Sequence, residues 1–348
     1  MRPPPKVMRR TLVDPALVAG VVLAVVTLPV LAIGGAFFSR YVPGRWRILR
    51  ITWFLFLYLL VEAASLVALF VLWIVSGFGW KIHTPAFERA HYRLFAWMLR
   101  RVVASAKFTF KLTLAREGPR PRTVGREERR PAIVLSRHAG PGDSMLLMDA
   151  LANNFQRRPR IVLKEFLQWD PAVDVILNRL PSAFVPSGQK GAPVIEAIKS
   201  IAAGLGPDDA FVIFPEGGNY SERRYHRSIE KLREIGRPDL AERAAELKNT
   251  LPPRATGVKA ALAAAPGKSD VFFVGHAGLE AFVGFGDIWR GMPMDTKVAV
   301  RIWHVPAEHI PPPEEQESWL YDMWAEIDAW ISDRLEDTAE PFDDHHAY

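Results

Sequence analysis

Apolar residues run on twice near the start of the chain and only afterwards break into short stretches. After the basic opening MRPPPKVMRR, residues 16–38 hold no ionisable side chain. As a helix at ~1.5 Å per residue that run is about 34 Å long, enough to span a bilayer. Residues 51–76 form a second such run, with Glu62 as its one charge, Trp53, Tyr58 and Trp73 along it and Trp80 just beyond. A cleaved leader has a shorter apolar core, so the pattern predicts a retained anchor. Basic residues flank both runs and give no asymmetry from which to count crossings; two full crossings and a shallow hairpin both fit. Either returns the chain to the side of its basic N-terminus, which places the remainder on the cytoplasmic face of the inner or plasma membrane. Glu62, beside Ala63, Ala64 and Ser65, reads as a structural acid, covered by a helix pair or carried to the interface by a bend.

Residues 83–115 mix aromatic and basic side chains, a pattern that serves either contact with anionic headgroups or an amphipathic helix packed on a domain. Residues 117–130 are polar and charged and read as a loop. Beyond them, β-branched runs near 132–136, 161–164, 183–185, 210–214, 271–274 and 297–303 alternate with helical patterns. The expected fold is α/β, a central mixed sheet flanked by helices. A last helix near 314–335 sets Trp319, Met323, Trp324, Ile327, Trp330, Ile331 and Leu335 on one stripe opposite its acids. The expected organisation is a membrane anchor over 1–82, an interfacial helix and loop over 83–130, an α/β domain over 131–312, and an amphipathic helix with acidic tail over 313–348.

Charge sharpens this. The formal net charge is +6, yet residues 314–348 carry 12 acids against one base, leaving 43 bases and 26 acids in the first 313 residues. A basic body suits nucleic acid, an anionic bilayer or a phosphorylated substrate; the apolar runs favour the last two, and no nucleic-acid recognition motif is present. The absence of cysteine excludes disulfides, thiolate metal sites, a cysteine nucleophile and a thiol acyl carrier. His138, His276, His304 and His309 show no paired ligand spacing, so no metal is implied. His276, close after the 271–274 run and near the sheet end, is placed where it could line the site, with a structural histidine the favoured reading.

Two segments carry chemistry. In AIVLSRHAGPGDSMLL a strand ends at Ser136, His138 follows, and Gly140-Pro141-Gly142 turns the chain into a helix opened by Asp143. The carboxylate can reach one imidazole nitrogen while the other accepts a proton; a loop histidine and a helix-capping Asp143 are the plainer alternatives. In FVIFPEGGNYSERR a strand runs into Pro215-Glu216-Gly217-Gly218, placing an acid and two permissive glycines at a strand end. Arg223 and Arg224 follow and make the neighbourhood favourable to anions.

Together these segments resemble the glycerolipid acyltransferase family, in which His-x-x-x-x-Asp follows one strand and Phe-Pro-Glu-Gly a later one. Here they stand as His138-Ala-Gly-Pro-Gly-Asp143 and Phe214-Pro215-Glu216-Gly217. Residues 162–167 and 183–187 look like the intervening blocks, and the likeness covers roughly 130–276. The resemblance implies His138 and Asp143 as catalytic residues and Glu216, Gly217 and Gly218 as a substrate-binding turn. Acyl-CoA or acyl-carrier protein would be co-substrate, with no bound cofactor, a lysophospholipid such as 1-acyl-sn-glycerol-3-phosphate acceptor, and a lipid bilayer but no nucleic acid partner. Ser187 and Asn219 stand where relatives carry phosphate-reading arginines, which leaves Lys190, Arg223, Arg224 and Arg254 as competing phosphate binders. Arg254 lies in Pro-Pro-Arg-Ala-Thr-Gly, similar to a stretch in the lysocardiolipin and lysophosphatidylinositol branch. Amides around Gly140–Gly142 are the expected oxyanion donors. A transacylase using the same pair and a membrane scaffold are the rival readings. High Ala, Arg and Pro usage suits a GC-rich bacterial source.

Overall fold

The computed structural model describes residues 3–44, 46–118, 128–140, 142–186, 188, 191–280 and 285–339. Seven strands form one sheet: β1 (Thr113–Glu117), β2 (Ala132–Ser136), β3 (Arg158–Lys164), β4 (Ala183–Val185), β5 (Asp209–Ile213), β6 (Asp270–Ala277) and β7 (Lys297–Val305). Their order is β1-β7-β6-β2-β5-β3-β4. Neighbours are parallel except β6 with β7, which pair antiparallel with Val274 opposite Ile302. The sheet is therefore mixed, and the five strands from β6 to β4 all end along one edge.

β2 shows why its sequence is apolar throughout. A central parallel strand is covered on both faces, and every residue of Ala132–Ser136 is buried. Ala132 and Val134 join Ala210, Val212 and Val274 beneath the helices Pro85–Phe110 and Pro171–Leu177. Ile133 and Leu135 join Phe211, Val271 and Phe273 beneath Ala192–Ala203, Ala255–Ala264 and Gln316–Ala339. The last helix packs the expected stripe: Trp324, Ile327 and Ile331 have no exposed surface. Residues 83–115 contribute a helix whose Tyr92, Phe95, Met98, Leu99 and Val102 pack in the core, the packed-helix alternative.

Two differences from the sequence reading stand out. β1 was not expected, because Thr-Leu-Ala-Arg-Glu is half polar and sits at the sheet edge against β7 alone. β6 runs three residues beyond the apolar stretch, since Gly275, His276 and Ala277 pair with Arg301, Val300 and Ala299. Gly275 permits this: a Cβ there would lie 3.1 Å from Trp303 and 3.2 Å from Ile327 and Trp330.

The N-terminal apolar runs form two helices, Lys6–Ser39 and Arg47–Val75, each long and apolar enough to cross a membrane. They pack on each other, and both touch the α/β domain. Arg9 and Arg10 reach the fully buried Asp174 at 3.0 and 2.8 Å. Arg47 donates to the carbonyls of Met292 and Arg290 at 3.3 and 2.9 Å, and Arg50 to that of Thr109 at 3.0 Å. Further along the same helix, Tyr58 donates to Asp170. Glu62 accepts from Ala172 N–H at 3.0 Å, at the start of helix Pro171–Leu177. The Leu69 carbonyl accepts from Arg179 at 2.8 Å. Glu62 is thus a buried acid that occupies an otherwise unpaired helix-terminal donor.

Candidate active site

β6, β2 and β5 are neighbours whose ends lie side by side, so whatever follows them is gathered at one place. That edge is where open α/β sheets build sites. After β2 comes His138, and the turn brings Asp143 back beneath it: His138 Nδ1 stands 3.0 Å from both carboxylate oxygens. Asp143 is buried at 4% exposure and is further held by Ala139 N–H at 2.8 Å, Gly140 N–H at 3.1 Å and the Ser144 hydroxyl at 3.1 Å. Burial alone would raise its carboxyl, but the hydrogen bond from His138 and the neighbouring His276 imidazole hold it well below the usual carboxylate range. The His138 side chain keeps 22% of its surface, and its ring leans on Phe214 with centroids 4.6 Å apart. A nearly buried anion therefore orients a partly open imidazole whose Nε2 is turned away from it.

After β5 the chain turns through Pro215, Glu216 and Gly217. Glu216 is 2% exposed. One of its oxygens accepts from His138 N–H at 3.0 Å and the other from Leu251 N–H at 3.1 Å. Burial pushes this carboxyl up to about 7, against the opposing pull of Arg137 and the two backbone donors. Glu216 ties the β5 turn, the His138 backbone and the Leu251 segment into one body. Gly217 has φ +69°, in the left-handed region where glycine alone is unstrained. A Cβ at Gly217 would fall 2.8 Å from the Arg254 guanidinium, and one at Gly218 would fall 2.6 Å from that of Arg224. In this arrangement both cations lie against bare backbone, and a side chain at either glycine would displace the guanidinium over it.

A family model described as Acyltransferase matches residues 118–264, the stretch that carries both motifs. This segment belongs to the acyltransferase family. The protein is thus an acyl transferase, with the membership that the paired motifs led us to expect. Among curated proteins no sequence matches the chain.

In this acyltransferase the sequence-derived residues divide by position. His138, Asp143, Glu216, Gly217 and Gly218 converge at the sheet edge, with Arg254 and Arg224 lying over the glycines. Arg254 is exposed, with no polar side-chain partner among the described residues, while Arg224 donates to the Asn219 carbonyl at 3.0 Å. Arg223 is exposed in the first turn of helix Glu222–Glu234 and makes no such contact among the described residues. Lys190, Ser187 and Pro141 lie outside the described residues. Of the amides expected to serve an oxyanion, that of Gly140 is already engaged by Asp143.

Other residues that build the site carried no signal in the sequence. Arg137, 1% exposed, donates to the carbonyls of His276 at 2.6 Å and Asn249 at 2.8 Å and pairs with Glu280. Asp328, on the last helix, accepts from Lys248 N–H, Asn249 N–H and the Thr250 hydroxyl, each at 2.8 Å. It thereby fixes the segment that supplies Leu251 and Arg254. A buried arginine before a histidine and an acid in a helix stripe look like surface residues until the fold is known. No cluster of histidines and acids suited to a metal occurs among the described residues.

Proposed function

We propose that this acyltransferase moves a fatty acyl group from the thioester of acyl-CoA or acyl-carrier protein to the hydroxyl of a lysophospholipid, 1-acyl-sn-glycerol-3-phosphate being the first candidate. The observation that carries this reading is His138 Nδ1 held 3.0 Å from both oxygens of a buried Asp143, with the ring otherwise open. An acyl thioester is already activated, and the acceptor alcohol is a weak nucleophile. His138 Nε2 takes the hydroxyl proton as the oxygen attacks the thioester carbonyl, and Asp143 stabilises the imidazolium that results. Collapse of the tetrahedral intermediate breaks the C–S bond, and the proton passes from His138 to the departing thiolate. A placed general base contributes roughly 10²- to 10⁴-fold. Glu216 acts as a positioning residue through the His138 backbone. Arg254, exposed above Gly217 and without a polar side-chain partner among the described residues, fits the acceptor phosphate.

The docking of helix Arg47–Val75 supports an anchor in a single leaflet. Its contacts with the domain extend from Arg47 to Leu69, about 33 Å of helix at ~1.5 Å per residue, which exceeds the ~30 Å hydrocarbon core. A helix held along that length by the domain lies beside it on the membrane surface, and its partner Lys6–Ser39 offers Val22, Val26, Val30 and Ile33 to lipid. An acceptor resting in that leaflet reaches His138 without leaving it. The test is turnover by purified protein on matched lysophosphatidate, lysophosphatidylinositol, lysophosphatidylglycerol and glycerol 3-phosphate, with each donor. His138→Ala abolishes transfer to the preferred acceptor; full activity in that variant would reject the assignment. For topology, Tyr41→Cys in this cysteine-free chain is labelled from the cytoplasmic face, whereas labelling only from the far side would establish two crossings.

A further inference from the structure

Asp143 faces a second histidine. His276 projects from β6, next to β2, and is 6% exposed. Its Nε2 lies 3.5 Å from Asp143 Oδ2, and neither ring nitrogen has a hydrogen-bond partner among the described residues. A buried polar group left unpaired is costly, so an imidazole kept here and aimed at a carboxylate calls for a reason. Its backbone is also tied to the site, since the His276 carbonyl accepts from Arg137, the residue before His138.

The geometry points to His276 as a positioning residue: with an N–H on Nε2 it closes on Asp143 Oδ2 and acts through that carboxylate on His138. Oδ2 already receives Ala139 N–H and Gly140 N–H. His276 approaches from the neighbouring strand, so the carboxylate is flanked by one imidazole on each side. Two consequences follow. The carboxylate cannot rotate away from His138 Nδ1 while both rings hold it. Its negative charge is also shared with His276, which weakens its pull on the proton of His138 and keeps that ring available as a base. The other charged groups at the site among the described residues are Glu216 on the His138 backbone, Arg137 with its partner Glu280, Arg254 over Gly217 and Arg224 over Gly218. A substitution of the His276 ring leaves all of them in place.

The inference rests on His138 being the base, and the test separates the two. In full-length enzyme, His276→Phe removes the Nε2 donor in similar volume and His276→Gln retains an N–H at comparable reach. The expected result for His276→Phe is a kcat about fivefold or more below wild type near neutral pH with KM for both substrates unchanged, the pattern of a lost transition-state interaction. The acidic limb of its pH–rate profile moves to higher pH, so the deficit shrinks in alkali. His276→Gln recovers most of the loss. In wild type, nitrogen-15 imidazole spectra show His276 protonated on Nε2, with a signal that moves in Asp143→Asn. A His276→Phe loss that is uniform with pH and not recovered by Gln, or no loss at all, would overturn the inference while leaving His138 untouched; activity in His138→Ala would instead remove the reading beneath it.

Discussion

Asp143→Asn tests the proposed chemistry most sharply, because it removes a charge while keeping the shape. The turn that wraps Asp143 constrains how the amide sits. Ala139 N–H and Gly140 N–H both point at Oδ2, at 2.8 and 3.1 Å, so the amide oxygen takes that place and the NH₂ group faces His138 Nδ1. Nδ1 lies 3.0 Å from both positions; where it accepts from the NH₂ group, the ring proton moves to Nε2 and that nitrogen is unable to take the proton of an alcohol. The same inversion in a Ser-His-Asp triad lowers kcat about 10⁴-fold, and a loss of roughly 10³-fold is expected here, with KM little changed. Stability should suffer modestly, by about 1–2 kcal/mol, since hydrogen bonds to a charged group become neutral ones. The pH dependence has a definite sign. The Asp143 carboxyl is depressed in the fold, so its stabilisation is present above the ordinary value of 3.8 and is lost as pH falls below it. The stability gap between wild type and Asp143→Asn therefore narrows in acid. Single-turnover transfer of a labelled acyl group, paired with denaturant melts of both proteins, measures these quantities. A kcat within threefold of wild type would show that His138 does not depend on its tautomer and would remove Asp143 from the mechanism.

Three further outcomes are expected. Glu216→Gln lowers kcat rather than raising KM, because the carboxylate meets backbone N–H groups and not the acceptor. Since burial pushes Glu216 up to about 7, the stability it contributes is present below 4.5 and lost as pH rises through about 7; wild type should weaken over that window in denaturant titrations relative to Glu216→Gln. Arg254→Ala raises KM for a phosphate-bearing acceptor about tenfold or more with kcat nearly unchanged, and Arg254→Lys restores part of it, as initial-rate measurements would show. Asp174→Ala strands the buried Arg9 and its neighbour Arg10 without their shared anion. Breaking such a pair from one side costs about 3–5 kcal/mol, visible as a lower melting temperature in detergent and faster proteolysis near residue 10.

Much of the sheet was legible because its inner strands are buried on both faces and so read as unbroken apolar runs; β1, paired on one side only, was not. The His138–Asp143 pair was legible because the two lie five residues apart across a turn, so the contact is local. Glu216 was found at its motif, but its task as a tie between His138 and Leu251 spans 78 and 35 residues of chain and leaves no periodicity. Arg137 and Asp328 were missed for the same reason: what makes them matter is a partner on another strand or helix, and nothing local distinguishes a buried arginine from one in water. His276 was noted near the sheet end, but its approach to Asp143 comes from a neighbouring strand and was not legible. Glu62 carried a signal, an acid inside an apolar run, yet its partner, the Ala172 N–H, lies 110 residues away.

The N-terminal helices have a practical consequence for anyone who would make this enzyme soluble. Their cations neutralise Asp174, Glu62 and Tyr58 engage the start of a domain helix, and Leu66 and Leu69 share a core with the strands. Deleting residues up to 82 would not free a catalytic domain; it would open an apolar wound and leave a naked buried acid. Solubility should instead come from keeping both helices and replacing the outward side chains, Val22, Leu23, Val26, Val30 and Ile33, with polar ones. The outer face of these helices can be repainted but not cut away.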